Sequence, residues 1–294
     1  MTHIIVLPVI DSERIAYANR NALAISRDRA FLMGEEAVNI IGRGTYSAPS
    51  GKLVAVADAV NRAVSETQSI PPTSALPIPT PLEDTARLTL SVANETTFQA
   101  LQRLQRAGGQ PLALNFASGT NPGGGFLRGS TAQEETLARS SGLYAAIKDN
   151  PMYRYHKTEC ERGMASEWAI LSPGVPVFRA DDGTLLETPW HCDILTCAAP
   201  KADIVGLERA TTAMRKRVHR VLEIAYTYGY RSLVLGAWGC GAYHNDPTAV
   251  AGIFRDALTQ TYLGPFDEVV FAISDWSLDR RYLGPFRDTF AELG

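Results

Sequence analysis

From residue 85 onward, short stretches rich in apolar residues take turns with stretches in which apolar residues recur at helical spacing. Those at 87–93, 112–116, 232–235 and 268–274 read as strands, and their alternation with helices points to a sheet covered on both faces. Helical spacing occupies 97–107, closed by Gly108-Gly109, then 132–148, 204–228, 247–263 and a terminal helix. Shorter strands are predicted near 168–171, 175–178 and 193–197, after an irregular, loop-rich stretch that ends at Glu167. The alternation predicts an α/β fold, a mixed sheet sandwiched between helices. Before it, residues 12–33 mix charged and apolar positions at helical spacing, 52–56 read as a strand, and a short helix ends near Glu66. The segment QSIPPTSALPIPTPLED carries five prolines, which disfavour helix and sheet alike. A boundary is therefore expected at 68–84, separating an N-terminal, mainly helical accessory region (1–84, with the Pro-rich linker at its end) from an α/β domain (85–294). YLGPF occurs at Tyr262 and again at Tyr282, and Gly-Pro at both places reads as a helix end.

The candidate chemistry lies directly behind the run PLALNF. There the chain reads GGGFLRGSTAQEE (123–135): a backbone-exposing loop, then a helix start carrying two adjacent carboxylates. That order suits a pocket that grips a phosphorylated ribose and protonates it. Gly123, Gly124 and Gly125 let backbone N–H groups approach an anion, although a tight strand-to-helix turn would use them equally well. Gln133, Glu134 and Glu135 also have two readings, since Ser130 with Gln133 and Thr131 with Glu134 both fit a capping box. RSLVLGAWGCGAYHNDP (231–247) repeats the grammar of strand, glycine-rich loop and helix, with Asn245 or Asp246 as the helix cap, and offers a second phosphate-cradling loop. DEVVFAISDW ends in Asp275 and Trp276, where an open α/β sheet presents ligand contacts. Neither glycine loop is a nucleotide fingerprint, since one lacks GK[ST] and the other is not GxGxxG. Asn115 could contact a ribose or bond neighbouring backbone. Asn94 and Glu95 could accept from an adenine amino group or cap the helix TTFQAL. The run MRKRVHR (214–220) reads as a solvated helix face or a polyanion contact.

GGG followed after seven residues by QEE resembles the signature of the poly(ADP-ribose) glycohydrolases, and LNFASGTNPGGGF with AQEETLARSSGLY is similar to their bacterial, macrodomain-type branch. SPGVPVFRADDGTLLE, CAAP (197–200) and VLGAWGCGAY…NDP resemble the same branch in the same order, so the resemblance covers roughly 85–277. RNALAISRDRAFLMG and IGRGTYSAPSGKLV resemble its accessory region more loosely. The resemblance implies a macrodomain-like fold that hydrolyses ribose–ribose O-glycosidic bonds of poly(ADP-ribose), mainly from chain ends, and releases ADP-ribose. It implies Glu135 as catalytic acid and base, and Glu134 as the residue holding ribose hydroxyls. Gly123, Gly124 and Gly125 would line the distal ribose and diphosphate, with Gln133 completing the motif. Gly239, Gly241 and Ala242, flanking Cys240, would supply N–H groups. Tyr243 stands where the family commonly has phenylalanine. Two rivals use the same scaffold: a mono-ADP-ribosyl hydrolase and a non-catalytic ADP-ribose reader. The second is disfavoured by anions placed near a diphosphate. ADP-ribosylated proteins are the implied partners, in a monomer of the bacterial cytoplasm serving the DNA damage response, with no cofactor and no metal.

Composition constrains the picture little. A chain of 294 residues with 45% hydrophobic and 20% charged residues can bury a large core. Its net charge of −3 argues against a dedicated nucleic-acid binder, so no direct DNA binding is expected. Cys160, Cys192, Cys197 and Cys240 form no CxxC; His156, Cys160, His191 and Cys192 make a zinc site only on paper. The start MTHIIVLPVIDSER lacks a basic n-region and no run is long enough for a membrane span, so neither signal peptide nor membrane association is expected.

Overall fold

The computed structural model describes residues 3–77 and 87–293. The N-terminal part runs β1 (His3–Val6), α1 (Glu13–Leu23), α2 (Arg27–Arg43), β2 (Thr45–Ser47), β3 (Leu53–Ala55), α3 (Ala57–Glu66) and β4 (Gln68–Ile70). It continues with β5 (Arg87–Ala93), α4 (Thr97–Arg106), β6 (Pro111–Ala117), a 3-10 turn (Phe126–Arg128), α5 (Gln133–Ser140), α6 (Leu143–Ile147) and α7 (Pro151–Thr158). The remainder is β7 (Ala169–Arg179), β8 (Leu185–Ala198), α8 (Ala202–Val205), α9 (Leu207–Thr227), β9 (Ser232–Leu235), α10 (Pro247–Asp256), β10 (Glu268–Ala272) and α11 (Leu283–Ala291).

One eight-stranded sheet, in the order β1-β5-β10-β9-β6-β8-β7-β4, organises the molecule, and a two-stranded hairpin of β2 and β3 stands apart. Neighbours from β1 to β8 pair parallel, whereas β7 and β4 pair antiparallel. The mixed α/β architecture is therefore as expected. The central strands β5, β6, β9 and β10 are almost continuously buried, which is why β6, β9 and β10 are mostly apolar, whereas β5 keeps Thr89 and Ser91 in alternation with Leu88, Leu90 and Val92. Their carboxyl ends open on one edge, leaving a crevice there.

Several boundaries depart from the expectation, each for a local reason. The helix expected over 12–33 is two helices, because Ser26 caps a new one by accepting from Arg29 N. The helix expected over 132–148 breaks at Ser141, which bridges to Val177, while Gly142 N–H donates to Pro176 O (2.8 Å). Gly206, at φ 87°, splits the helix expected over 204–228. Within the stretch expected as irregular, Asn150 caps α7 with Pro151 at its first position. The second YLGPF does not end a helix: Leu283–Ala291 is helical, with Pro285 in the first turn, where a missing N–H costs nothing. β1 and β4 were not expected, and they form the two edges of the sheet. Of the Pro-rich segment expected at 68–84, the part at 78–84 lies outside the described residues.

The N-terminal elements have their own small core, in which Ala37, Ile40, Tyr46, Val54, Val56 and Val60 close over Phe178. They are also fastened by Arg179, a fully buried guanidinium at the end of β7. Its Nη1 donates to Met33 O (3.0 Å) and to Arg139 O, and its Nη2 donates to Glu36 Oε2 (2.5 Å). One side chain thus ties α2, α5 and β7 together. Arg179→Ala should destabilise the protein by about 3 kcal/mol, because it strands two buried carbonyls and a carboxylate. Urea unfolding of the two proteins measures this; a loss under ~0.5 kcal/mol would exclude that role.

Candidate active site

Residues Gln133, Glu134 and Glu135 form the first turn of α5, and helical side chains there point back toward the N-terminus. What lies in that direction is the end of β6 and the glycine loop. Gln133 Oε1 accepts from Phe116 N (2.9 Å), while its Nε2 donates to Leu114 O (2.8 Å) and Thr97 Oγ1 (3.1 Å). Glu134 Oε2 accepts from Ser118 N (2.6 Å), and Glu135 Oε1 from Gly125 N (2.8 Å). The three side chains therefore clamp one continuous piece of backbone. Neither capping box forms: the helix N-cap is Ala132, which has no side-chain hydrogen bond.

Gly124 explains the glycine triplet. At φ 62° it occupies the left-handed region, and a Cβ there would lie 2.8 Å from Glu134 Oε2 and still closer to Glu135 Oε1. The two carboxylates close around this residue. Gly123 N also bonds Glu134, Gly124 N donates to Asn121 O (2.9 Å) and Gly125 N holds Glu135. The N–H groups of the triplet are thus already engaged, and they hold the acids rather than standing open to an anion.

The second loop is the reverse case. Cys240, His244 and Asn245 donate their N–H groups to carbonyls within the loop, and Asn245 Nδ2 binds Pro200 O (2.8 Å) and Gly239 O (3.0 Å). The N–H groups of Gly239, Gly241, Ala242 and Tyr243 have no acceptor among the described residues. This loop alone offers a row of free donors for an anion. Asp246, not Asn245, caps α10, with Oδ1 accepting from Ala249 N (2.7 Å).

Both loops line a cleft of about 520 Å³ at the carboxyl edge of the sheet. Of the expected residues, Glu95, Gly124, Gly125, Gln133, Glu134, Glu135, Gly239, Gly241, Ala242 and Tyr243 form its walls, and Trp276 joins them. Gly123, Asn94, Asn115 and Cys240 do not. Asn94 is buried and bonds Asn19, Asp11 and the Asp275 backbone, so it neither contacts the cleft nor caps α4. The cap of α4 is Thr96, in a capping box with Gln99. Asn115 is fully buried, donating to Thr196 Oγ1 (3.1 Å) and hydrogen-bonding Glu134 from behind. Cys240 faces inward, its Sγ toward Trp238 O (3.7 Å). In the run MRKRVHR, Arg217 is no solvated residue: it is buried and donates to Met164 O.

Burial is the dominant influence on Glu134, lifting its carboxyl well above the usual carboxylate range. The charge of Glu135 lifts it further, against the hydrogen bonds from Ser118, Asn115 and Gly123. Its Oε1 is buried without a hydrogen-bond partner among the described residues. Tyr243, pushed up to about 12 by burial, hydrogen-bonds Ser118 and sits near both acids. Lys201 Nζ lies 4.7 Å from the Tyr243 ring centroid. Sequence reasoning missed Lys201 and Asp181. Asp181 lines the cleft with its carboxyl raised by burial while accepting from Thr96 Oγ1 (2.6 Å). Both follow the end of a strand, at CAAPK and RADDG, the one signal available for them.

Among the described residues no cluster of His, Cys, Asp or Glu could hold a metal ion, and no helix is long and apolar enough to cross a membrane. The paper zinc site does not assemble, since His156 contacts Gly119 O and Ser166, and Cys192 points at Val175 O.

The family described as the catalytic domain of microbial-type PARG matches residues 34–180. The chain belongs to this family. A poly(ADP-ribose) glycohydrolase from Thermomonospora curvata is 41% identical, with 90% of this chain and 100% of that chain covered and a TM-score of 0.84. The same enzyme bound to the inhibitor ADP-HPD is matched at 40% identity over 90% and 100% of the two chains, with a TM-score of 0.80. The poly(ADP-ribose) glycohydrolase of Deinococcus radiodurans in complex with ADP-ribose matches at 35% identity, 80% and 98% coverage and a TM-score of 0.72. No curated protein matches. Membership of the glycohydrolase family agrees with a cleft that pairs two carboxylates with a loop of free N–H donors.

Two outcomes follow for this site. Glu134 keeps its proton to higher pH folded than unfolded, so its contribution to stability is lost as pH rises above the ordinary carboxylate range. Glu134→Gln, which mimics the protonated acid, should raise the thermal midpoint at pH 7 and have little effect near pH 4; a pH-independent difference would contradict this. Gly124→Ala should cost about 2 kcal/mol, from the left-handed backbone and the crowding of both acids, and thermal melts would record it.

Proposed function

We propose that this protein hydrolyses the ribose–ribose O-glycosidic bonds of poly(ADP-ribose), mainly from chain ends, and releases ADP-ribose. The observation that carries the reading is the pair Glu134 and Glu135, closed around Gly124 at the wall of a cleft whose other loop leaves four N–H groups unbonded. A reader of ADP-ribose would need the second loop only. It gains nothing from a buried carboxyl beside a second carboxylate.

In this reading the diphosphate lies on the N–H groups of Gly239, Gly241, Ala242 and Tyr243, and the distal ribose sits against Gly124. The unpartnered Oε1 of Glu134 accepts from a ribose hydroxyl, which fixes the sugar relative to Glu135. Glu135 gives its proton to the leaving 2′-oxygen as the C1″–O bond breaks and the anomeric carbon becomes oxocarbenium-like. Water then adds to C1″ and returns a proton to Glu135. Tyr243, in place of the phenylalanine common in the family, packs beside the sugar with its hydroxyl on Ser118. This hydrolysis needs only a carboxyl group and water.

We read the fold as macrodomain-like, with 85–294 as catalytic domain and 1–84 as an accessory region. The separate small core of the N-terminal elements supports that division, while β1 and β4 stitch the region into the sheet edges. ADP-ribosylated proteins would be its partners. The test is incubation with labelled poly(ADP-ribose) and identification of the product, for which ADP-ribose is expected. Glu135→Gln keeps shape and the Gly125 bond but cannot shuttle a proton, so turnover should fall roughly 10²–10⁴-fold while ADP-ribose still raises the thermal midpoint. Near-normal turnover would remove Glu135 from the role.

A further inference from the structure

The family's chemistry accounts for the two loops and the two acids, but not for the cation at the cleft mouth. Arg128 ends the 3-10 turn that follows Gly125, and Gly125 N is the group that holds Glu135. Arg128 is exposed and lines the cleft. Lys201 is the other cation of the walls, and it lies against the Tyr243 ring. The Arg128 guanidinium has neither a carboxylate nor a hydrogen-bond partner among the described residues.

A second arginine is built in beside it. Arg27, at the start of α2, donates Nε to Arg128 O (2.9 Å) and thereby fixes the turn. Its Cγ lies 2.6 Å from where a Cβ of Gly129 would stand, so glycine at φ 77° lets α2 approach this closely. Arg27 likewise forms no ion pair among the described residues. Arg27 thus braces the backbone of the turn that carries Arg128 and the clamp of Glu135. In a chain of net charge −3 whose cleft walls include Glu95, Glu134, Glu135 and Asp181, the exposed Arg128 is a local reversal of sign.

We propose that Arg128, on a turn braced by Arg27, binds the diphosphate of the leaving ADP-ribose unit, and so makes the enzyme selective for polymer over glycosides with an uncharged leaving group. This rests on the poly(ADP-ribose) hydrolase reading above. When C1″ of the terminal unit faces Glu135, the leaving 2′-oxygen must exit past that carboxyl, and the same leaving ribose carries its diphosphate at O5′. A guanidinium fork matches phosphate oxygens in a way that an ammonium does not. The donors of the second loop serve the diphosphate of the unit that is kept, and Arg128 serves that of the unit that leaves.

The test compares two substrates. One is poly(ADP-ribose); the other is ADP-ribose carrying a nitrophenyl group at C1″, which has no leaving diphosphate. Arg128→Glu should lower kcat/KM on polymer by roughly ten-fold or more, the size of one lost charge-assisted contact plus repulsion, and should change the nitrophenyl glycoside less than two-fold. Arg128→Lys should recover part of the loss, and added salt should slow the wild type on polymer more steeply than Arg128→Glu. Arg27→Ala, read with its thermal midpoint, should reduce polymer cleavage in the same direction. Equal losses on the two substrates would make Arg128 a structural support of Glu135, and no loss on polymer would remove it altogether; either overturns the proposal. Inhibition by single-stranded DNA that vanishes in Arg128→Glu while polymer cleavage persists would reassign the pair to nucleic acid, also overturning it. A wild-type protein that cleaves neither substrate would instead refute the hydrolase reading itself.

Discussion

Everything at the cleft depends on how the first turn of α5 grips the end of β6. Three consecutive side chains take three backbone N–H groups from the segment they follow: Gln133 from Phe116, Glu134 from Ser118 and Glu135 from Gly125. A helix start normally satisfies its own N–H groups with a cap. Here the helix gives acceptors away to the strand end and loop, which Ser118 Oγ also braces by accepting from Asn121 N (3.1 Å). The acids are positioned because they are structural.

That arrangement sets stability against chemistry at one residue. Glu134 is buried, sits beside another carboxylate and keeps one oxygen without a partner among the described residues, each of which is unfavourable. The compensation comes from Ser118, Asn115 and Gly123, and from the packing of the sheet behind them. The two carboxyl groups close so tightly around Gly124 that no side chain fits there.

The N-terminal elements reach the cleft. Arg179 couples α2 to α5 through the Arg139 carbonyl, and Arg27 couples α2 to the turn after the glycine loop. Leu23, at the end of α1, lines the cleft itself. The N-terminal helices consequently help fix the geometry of the site.

The order of elements was legible in the sequence because short apolar-rich strands alternate with stretches of helical spacing, and the two glycine loops were legible because strand, glycine and helix cap follow one another locally. The adjacency of Glu134 and Glu135 was equally plain. What those residues bind was not. Gln133 fits a capping box as well as it fits a strand end, and only the tertiary course of β6 past α5 decides between them. The glycine triplet reads as an anion cradle until its N–H groups are seen to be engaged, while those of Gly239, Gly241, Ala242 and Tyr243 have no acceptor among the described residues. β1, β4 and the break at Ser141 were hidden for the same reason: each is created by pairing with a distant strand, and local spacing carries no record of its partner. Sequence fixes which groups are present and their local conformation, whereas burial and long-range hydrogen bonding decide which of them remain free to meet a ligand.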